Sequence, residues 1–324
     1  MSESAKIKRS GVTVYVIGYK GDRWLPKCVE SLRKASSQRL SLVLIDNVDN
    51  PCLQNLDVAA FDTRIVRTPH PMGFADAHNF GITKAPPVGE WIVLLNQDTI
   101  SEPGWIDRCV EAMLARPALG LLSPCLLTFE GDKWDPHFRE CMEAAGFMSF
   151  PGSAGVLAGD SLDVTGAAMV VRREVLAELG LFDPVFESYY EDYDFCRRVR
   201  QSGRGIGVCV DARVRHFSGS ATVDRAAERR RTTWILRNRV IHDLRQKPGG
   251  RWHRLLGHLL FEFPRRFARG FLRTNSSQPL ACTWRAYLGV LALATRLVSE
   301  RRDQEAWHRH LDRIAWRDAF EERR

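Results

Sequence analysis

The chain has 324 residues, of which 44% are hydrophobic and 27% charged, the ordinary composition of a soluble globular protein. Its first ten residues lack the apolar core of a signal peptide, and no uncharged apolar window reaches the roughly 18 residues of a membrane span. The eight cysteines include no CxxC pair, so we expect reduced thiols, a cytoplasmic location and no zinc site.

The net charge of +8 is unevenly distributed along the chain. From Arg225 onward there are 23 Lys and Arg against 10 Asp and Glu, a balance of +13. Subtraction from the totals of 47 and 39 leaves 24 against 29, or −5, for residues 1–224. A basic C-terminal third of this kind predicts either nucleic acid or an anionic membrane surface as a partner.

The first two predicted strands end in residues that could meet a ligand. Val12–Ile17 is a buried strand that ends at Gly18-Tyr19, an amphipathic helix begins near Trp24, and Leu40–Ile45 is a second strand that ends at Asp46. This β-α-β order predicts two parallel strands. An acidic residue that ends the second strand commonly contacts a nucleoside. The first loop is not GxGxxG, which counts against a dehydrogenase.

A short third strand, Ile65–Arg67, precedes a glycine and a helix. We predict that Gly73 either adopts a positive φ angle or lets a ligand approach the backbone. The helix spans Ala75 to Thr83, and its expected buried residues are Ala77, Phe80 and Ile82. The polar residues of its first turns, whose exposed amides would favour phosphate, are Asp76, His78 and Asn79. For His78 and Asn79, a solvated helix face is the simpler interpretation.

The central strand is Trp91–Leu95, an unbroken apolar run typical of a strand buried on both faces. Asn96 and Asp98 follow it and emerge on the same side, because side chains alternate along a strand. Ligands of open α/β sheets bind at this edge, where a carboxylate and an amide oxygen suit a divalent cation. The alternative is a turn in which Asp98-Thr99 merely begins the next helix.

Several elements are predicted between this strand and a second acidic cluster. They are a helix over 103–113, a strand over 119–122, a long variable loop over 129–163, a strand over 163–171 and a helix over 172–179. In the strand over 163–171, Gly166 and Ala167 are expected to leave space for a ligand.

The second acidic cluster, Glu191, Asp192 and Asp194, opens a helix behind two tyrosines. The helix dipole stabilises negative charge at such a start, and for Asp194 we expect only that role, with a salt bridge to an arginine one turn later. For Asp192, the tyrosine-rich pocket before it favours a functional role. A strand over 206–210 follows, and His216, leaving the sheet after it, is alone more typical of a structural loop residue than of a ligand.

Together these motifs resemble family 2 inverting glycosyltransferases, in particular the bacterial rhamnosyltransferase-like branch that builds cell-surface polysaccharides. The resemblance covers roughly residues 11–245. The matching segments are Gly18-Tyr19, Asp46-Asn47, Gly73-Phe74 with Asn79-Phe80-Gly81, Leu95–Thr99, Tyr189–Arg197, His216–Ser220 and Arg237-Asn238. Each is weak alone, but together, in the right order, they are specific. Asn96 replaces the first acid of the usual Asp-x-Asp, which weakens the charge of the expected metal site.

The resemblance implies a GT-A fold, an α/β architecture with a mostly parallel central sheet flanked by helices. It implies that Asp46 contacts the nucleotide base, Asp98 holds Mg²⁺ or Mn²⁺ on the diphosphate, His216 is a further metal or diphosphate contact, and Asp192 is the general base. The expected nucleotide-sugar contacts are Gly18, Tyr19, Asp46, Gly73, Asn79, Asn96 and Asp98. The residues expected at the acceptor or supporting it are Tyr190, Glu191 and Asp194.

We therefore divide the chain into a catalytic domain over 1–224 and a basic helical region over 225–324. The nucleotide-binding half of the domain covers about 11–122, and the acceptor-binding half about 123–224. In the basic region, apolar clusters flanked by arginines suit the interface of an anionic membrane. The alternative is a helical cap on the catalytic domain, and both can hold at once. Nucleic acid ranks low as a partner because no recognition motif is present.

The sequence thus predicts a cytoplasmic, metal-dependent inverting glycosyltransferase, peripheral at the inner face of the membrane. It would move a sugar from a nucleotide diphosphate to a hydroxyl of a glycan acceptor that we expect to be lipid-linked. The alternative is a catalytically weak glycan- or nucleotide-binding protein that retains the fold, but the presence of both Asp98 and Asp192 argues against it. The donor sugar, base, acceptor, linkage and oligomeric state are left open.

Overall fold

The computed structural model describes residues 11–48, 50–148, 155–217, 225–246, 250–273 and 278–321. Its strands are β1 (Val12–Gly18), β2 (Ser41–Asp46), β3 (Asp62–Arg67), β4 (Trp91–Asn96), β5 (Thr99–Ser101), β6 (Leu119–Leu127), β7 (Val156–Ala158), β8 (Ala168–Arg172) and β9 (Gly205–His216). They form one sheet in the order β3-β2-β1-β4-β8-β6-β9-β5, and β7 also pairs with β9. Six of these strands (β1, β2, β3, β4, β6 and β9) run in one direction.

The helices cover the sheet and then extend beyond it. Those within the sheet-forming part are α1 (Leu25–Leu32), α2 (Phe74–Lys84), α3 (Trp105–Leu114), α4 (Pro136–Ala144), α5 (Arg173–Leu179) and α6 (Glu191–Gln201). The later helices are α7 (Arg225–Gln246), α8 (Arg251–Gly257), α9 (Phe263–Arg273), α10 (Gln278–Leu297) and α11 (Glu300–Arg313). A π-helical turn, His258–Glu262, joins α8 to α9. Short 3₁₀ turns lie at Pro51–Asn55, Pro184–Phe186 and Arg317–Ala319.

The sheet lies at the centre of the main hydrophobic core. Every residue of β1 and β2 and the first five residues of β4 are buried, as expected for strands covered on both faces. The amphipathic helices α1 and α3 turn their apolar residues inward, as their spacing predicts. The predicted α/β fold, with its mostly parallel sheet and its C-terminal helices, is confirmed.

Three local predictions were wrong. The segment 129–163, predicted to be a loop, contains α4 and β7. The strand predicted over 206–210 continues to His216, which therefore lies in the sheet rather than beyond it. Thr99 does not begin a helix, because Thr99–Ser101 pairs with the far end of β9 as strand β5. The missed strand pairings join residues far apart in sequence, which local periodicity does not record, whereas the missed helix α4 is a local element.

The C-terminal helices pack on the sheet-forming part through two sets of contacts. Trp316 is fully buried in the main core, and its indole N–H donates to the Leu176 carbonyl at 2.8 Å. A second core forms among α7, α8, α9 and α10 and includes Phe186 from the segment before α6. These contacts show the helical packing that was one of the two predicted roles of this region. Among the described residues, no helix has the length and apolarity to cross a bilayer.

Candidate active site

Three neighbouring strands end together at one edge of the sheet. In the β1–β2 register Gly18 lies opposite Asp46, and in the β1–β4 register Ile17 lies opposite Asn96. The sheet thus brings together the strand-end residues that the sequence singled out. This carboxyl edge is where open α/β sheets bind their ligands.

Asp46 is fully buried, and both of its carboxylate oxygens are engaged. Oδ1 accepts hydrogen bonds from the backbone N–H of Asn50 at 3.0 Å and from its side-chain amide at 2.6 Å. Oδ2 pairs with Nε of Arg67, at 3.0 Å, whose side chain is 70% exposed. The contact with a nucleotide base predicted for Asp46 therefore requires Arg67 to leave Oδ2. Asn50, which sequence reasoning missed, also donates to the Gly18 carbonyl at 2.8 Å.

Gln97 fixes the loop after β1, a role that sequence reasoning also missed. Its Oε1 accepts from the Tyr19 N–H at 3.0 Å, and its Nε2 donates to the Tyr19 carbonyl at 2.8 Å. A Cβ atom on Gly21 would stand only 2.6 Å from the same Oε1. The backbone of the first loop is thus held against the end of β4, and Tyr19 lies at the predicted nucleotide edge.

Asp98, His216 and Asp135 form a line of charged and polar groups at this edge. Oδ1 of Asp98 lies 3.4 Å from Nε2 of His216, and Oδ2 of Asp135 lies 3.1 Å from its Nδ1. The carboxylates raise the pKa of His216 to about 9, against the opposing effect of burial. Asp135, which was not predicted, is buried and caps α4 by accepting from the N–H groups of His137 and Phe138. His216 thus contacts two carboxylates, although taken alone it was predicted to be a structural loop residue. The remainder of the predicted histidine motif, residues 218–220, lies outside the described residues.

Asp192 lies in the first turn of α6 and is buried. Its Oδ2 accepts from the Gly166 N–H at 2.9 Å, and its Oδ1 accepts from the Tyr193 N–H at 2.9 Å. The next residue, Ala167, accepts from the Asn96 N–H at 2.9 Å. Two backbone hydrogen bonds therefore connect the Asp192 carboxylate to the carboxyl end of β4. The ligand space predicted above Gly166 is occupied by Phe74 and Asp192, since a Cβ there would lie 3.4 and 3.8 Å from them.

Glu191 is buried beside Asp192 and differs from it in its partners. Its Oε2 has no hydrogen-bond partner within the described residues. Burial, and then the neighbouring Asp192 carboxylate, raise the pKa of Glu191 well above its ordinary value. A carboxyl group in this setting holds its proton at a pH where an exposed glutamate has lost it.

Asp194 forms the salt bridge predicted with an arginine one turn later, and it also belongs to a larger buried ionic network that was not predicted. It pairs with Arg197 at 2.8 Å and with Arg198 at 2.9 Å, one turn later on α6. It also pairs with Arg245 of α7 at 3.0 Å. These guanidinium groups hold the pKa of Asp194 far below its ordinary value despite burial. Asp194 thus joins α6 to the C-terminal helices.

Two of the first amides of α2, which were predicted to favour phosphate, donate within the protein instead. The Ala75 N–H donates to the Glu187 carbonyl at 3.0 Å, and the Phe74 N–H donates to Oγ of Ser188 at 3.1 Å. Gly73 has a φ of −65°, and a Cβ there would lie 2.6 Å from the Glu187 carbonyl oxygen. The close approach at Gly73 is therefore made by the protein's own backbone, and no positive φ is needed.

His78 and Asn79 are buried, so the solvated face predicted for them is wrong. The Asn79 amide donates to the Phe182 carbonyl at 2.7 Å and accepts from the Phe182 N–H at 3.2 Å. Both ends of this side chain are used inside the protein, which leaves none for the nucleotide sugar predicted there. His78 packs against the Phe74 and Phe182 rings, and burial lowers its pKa to about 4. Phe80, predicted to be buried, is only half-buried.

Aromatic rings surround the start of α6. The ring centroids of Tyr190 and Tyr193 are 5.4 Å apart, and His242 of α7 lies 5.4 Å from Tyr190 and 5.6 Å from Tyr193. His137 of α4 lies 5.8 Å from Tyr193. The tyrosines predicted beside Asp192 therefore belong to an aromatic cluster assembled from three helices. Rings of this kind stack on the apolar faces of ligands.

Solved structures with the same fold include a mannosyltransferase and a protein in complex with a nucleotide sugar. A mannosyltransferase from Pyrobaculum calidifontis, in complex with GDP-Man and Mn²⁺, superposes with a TM-score of 0.54 at 14% identity, covering 96% of this chain and 86% of that one. Staphylococcus aureus TarS 1–349, in complex with UDP-GlcNAc, superposes with a TM-score of 0.55 at 15% identity, covering 91% and 83%. At such identities the likeness establishes the fold.

Curated relatives match by sequence over part of the chain. An O-antigen biosynthesis protein RfbC from Myxococcus xanthus is 28% identical over 183 residues, which are 52% of this chain but only 14% of that protein. An N-acetylglucosaminyl-diphospho-decaprenol L-rhamnosyltransferase from Mycobacterium tuberculosis (strain ATCC 25618 / H37Rv) is 24% identical over 236 residues, 64% of this chain and 76% of that one. The family model described as glycosyltransferase like family 2 matches residues 9–236. The chain therefore belongs to glycosyltransferase like family 2.

Proposed function

We propose that the protein is an inverting glycosyltransferase that moves a sugar from a nucleotide diphosphate to a hydroxyl group of a glycan. The observation that carries the proposal is a pair of hydrogen bonds, one donated by the Gly166 N–H to the Asp192 carboxylate and one donated by the Asn96 N–H to the Ala167 carbonyl. These place a buried carboxylate beside the same sheet edge that carries Asp98 and His216. The family match and the rhamnosyltransferase relative support sugar transfer as the reaction.

The reaction needs a base for the acceptor hydroxyl and a positive charge beside the departing diphosphate. Asp192 suits the first role, and Asp98 with His216 suits the second. Asp192 would accept the proton of the acceptor hydroxyl as that oxygen attacks the anomeric carbon. Its Oδ1 and Oδ2 each hold one backbone N–H, which fixes the carboxylate and leaves further lone pairs for that proton. With a single base and no carboxylate nucleophile, the attack occurs opposite the leaving diphosphate, and the configuration inverts.

We further propose that the enzyme uses Mg²⁺ or Mn²⁺. The described residues contain no group of three or more His, Cys, Asp or Glu side chains arranged to hold a metal. Asp98 Oδ1 and His216 Nε2, 3.4 Å apart, could together supply two ligands if the ion displaces the proton on Nε2, and the diphosphate and water would supply the others. When bound, the ion would neutralise charge on the departing diphosphate. Asp135, on the other nitrogen of His216, would orient the ring.

Donor recognition would use the edge formed by the first two strands and β4. We keep Gly18, Tyr19, Asp46 and Asn96 as proposed nucleotide-sugar contacts, because they lie together at this edge. Tyr190 and Glu191, beside the base, are the proposed acceptor contacts. We keep the proposed division at residue 224, with the nucleotide-binding half ending near 122.

The acceptor we propose is lipid-linked, and the C-terminal helices would dock on an anionic membrane at its inner face. Apolar side chains on these helices are exposed and recur at helical spacing: Trp252, Leu256, Leu260, Phe261 and Phe267 along α8 to α9, and Trp284, Leu288 and Leu291 on α10. The exposed arginines Arg265 and Arg285 lie among them. Apolar insertion beside positive charge is the chemistry of an anionic lipid surface.

The first prediction tests the base. Asp192→Asn keeps the shape of the side chain and one hydrogen-bonding oxygen but cannot take up the proton. Turnover should fall by about 10²–10⁴-fold, the usual contribution of a positioned general base. Calorimetric affinity for the nucleotide diphosphate should change by less than about 2-fold, because the donor edge is formed by the ends of strands and not by helix α6.

Two variants separate this assignment from its rivals. Asp194→Asn should affect turnover less than Asp192→Asn does, since Asp194 is engaged by three arginines. Parental turnover in Asp192→Asn would refute the assignment of the base. Loss of nucleotide binding in that variant would instead make Asp192 a donor ligand. A parent protein that binds nucleotide sugars but transfers nothing to any glycan would favour the alternative, a binding protein with this fold.

The second prediction tests the metal. Asp98→Ala should abolish the increase in nucleotide diphosphate affinity that Mn²⁺ produces in the parent, because it removes one of the two protein ligands. Removal of metal with a chelator should weaken nucleotide binding in the parent and leave the variant unchanged. Asp132→Ala, at an exposed acid on the loop before Asp135, is the matched control and should behave as the parent. Equal metal-dependent affinity in Asp98→Ala and parent would exclude Asp98 as a ligand.

A further inference from the structure

The segment that delivers Asp192 to the active site is strained. Glu187 has φ and ψ of 59° and −66°, and the Ser188 N–H donates to the Phe186 carbonyl at 2.6 Å, which together define the rare γ-turn with positive φ. Tyr189 and Tyr190 follow with φ values of 70° and 72°. Three of the four residues 187–190, none of them glycine, therefore have positive φ, at a cost on the order of 1–3 kcal/mol each. The surrounding structure must hold them there.

Asn238 of α7 holds this segment from one side. It is fully buried, and its side-chain Nδ2 lies 2.6 Å from the Phe186 carbonyl oxygen, 2.8 Å from that of Ser188 and 2.8 Å from that of Tyr189. The two N–H hydrogens of this amide serve three carbonyls within four residues, so one hydrogen is shared between two of them. A buried carbonyl without a hydrogen-bond partner is costly. Loss of the Asn238 amide would therefore destabilise the strained conformation.

Contacts from Arg237 and from α2 also hold this segment. Nη1 of Arg237 pairs with the Glu187 carboxylate at 2.6 Å, and its Nη2 donates to the Val185 carbonyl at 2.9 Å. From the opposite side, α2 approaches through Gly73 and donates the Ala75 N–H to the Glu187 carbonyl. Residues 186–190 are therefore held between α2 and α7. Helix α6 begins immediately afterwards, and its second residue is Asp192.

We propose that Asn238 is a positioning residue that aims Asp192 at the acceptor hydroxyl by fixing the strained segment 186–190. The inference rests on the proposed function. Asn238 belongs to the Arg237-Asn238 pair of the sequence resemblance, and it lies on a helix outside the sheet, just past residue 236, where the family match ends. The C-terminal helices thus complete the active site in addition to covering the core. Misplacement of a catalytic group by about 1 Å can cost about 100-fold in rate.

The test is a double-mutant cycle on the full chain. Asn238→Ala should lower kcat by about 10–100-fold while the KM for the donor changes by less than about 3-fold. In an Asp192→Asn background the same substitution should have almost no further effect, because the base that it positions is already absent. Asn238→Ser, which keeps one donor, should fold more readily and lose less activity. Val290→Ala, in the same buried cluster, is the control for stability and should keep the parental kcat.

The outcomes are distinct. Parental kcat in Asn238→Ala and Asn238→Ser, with Asp192→Asn inactive, would overturn this inference alone. So would independent, multiplicative losses in the double variant, or a loss of kcat in Val290→Ala equal to that in Asn238→Ala at equal loss of melting temperature. Parental kcat in Asp192→Asn would overturn the proposed base and this inference together.

Discussion

At the residue scale, Glu191 is a carboxyl group that is buried without a full set of hydrogen-bond partners among the described residues. It is buried, its Oε2 has no partner among the described residues, and its pKa is raised well above 4.5. The folded protein therefore binds a proton here that the unfolded chain releases, and the free energy of unfolding falls as the pH rises from about 4.5 toward the folded pKa. Glu191 thus reduces stability at neutral pH.

We predict that Glu191→Gln stabilises the protein at pH 7.5 by more than about 1 kcal/mol, since one pKa unit corresponds to about 1.4 kcal/mol. The gain should shrink as the pH falls toward 4.5, where parent and variant are both neutral at this position. Denaturant unfolding at several pH values measures it. A gain that is constant with pH would mean that Glu191 does not hold its proton, and a loss would mean that the charge is needed for folding.

Residues at strand ends could be predicted from sequence, and residues that bridge distant segments could not. The apolar run 91–95 predicted that β4 ends at Asn96, because the run of buried residues stops there. Nothing local to Asp135 records that His216 lies beside it, since the two are far apart in the chain. The same holds for Asn79 and Phe182, whose contact turns an apparently polar helix face into a buried one.

At the element scale, Arg245 joins α7 to three other segments. It is buried and pairs with Asp183 at 2.8 Å, Asp194 at 3.0 Å and Asp303 at 2.7 Å. Arg296 of α10 also reaches Asp183 and Asp303. Removing one partner of a buried ionic network leaves uncompensated charge, which costs far more than an exposed ion pair contributes.

We predict that Arg245→Ala lowers the free energy of unfolding by about 3–5 kcal/mol. Arg301→Ala, which removes a 90% exposed arginine from α11, should change it by less than about 0.5 kcal/mol. Denaturant unfolding of both variants provides the comparison. Similar small effects in the two would show that the network contributes no more than surface pairs do, and that apolar packing alone attaches the C-terminal helices.

The apolar pattern predicted the elements of this region better than it predicted their neighbours. Trp307 and Trp316 gave no signal of where they pack, yet the Trp316 indole reaches the main core and Trp307 donates to the Leu179 carbonyl. Helical spacing identifies an apolar face but not the surface that covers it. For the same reason, the sequence did not decide whether the basic helices pack on the catalytic domain or dock on a membrane.

At the scale of the whole molecule, burial divides the apolar residues of the C-terminal helices into two sets. One set, including Leu255 and Val290, forms the second core, whereas Leu260 and Phe261 are 60% and 73% exposed. The exposed side chains lie outside the second core, so a lipid surface could contact them. We therefore predict that the protein co-sediments with anionic vesicles, and less so at high salt, because screening weakens attraction between arginines and headgroups.

A matched pair of double variants tests this surface. Leu260→Ser with Phe261→Ser should weaken vesicle affinity by at least about 10-fold, since an inserted side chain of this size contributes about 1.5–3 kcal/mol. Ile65→Ser with Val88→Ser removes equally exposed apolar groups from the sheet-forming part and should leave binding unchanged. Equal sedimentation with neutral and anionic vesicles would remove the role of charge. No sedimentation with either would leave the C-terminal helices as a cap that also positions Asp192, because the contacts of Asn238 and Arg245 do not depend on lipid.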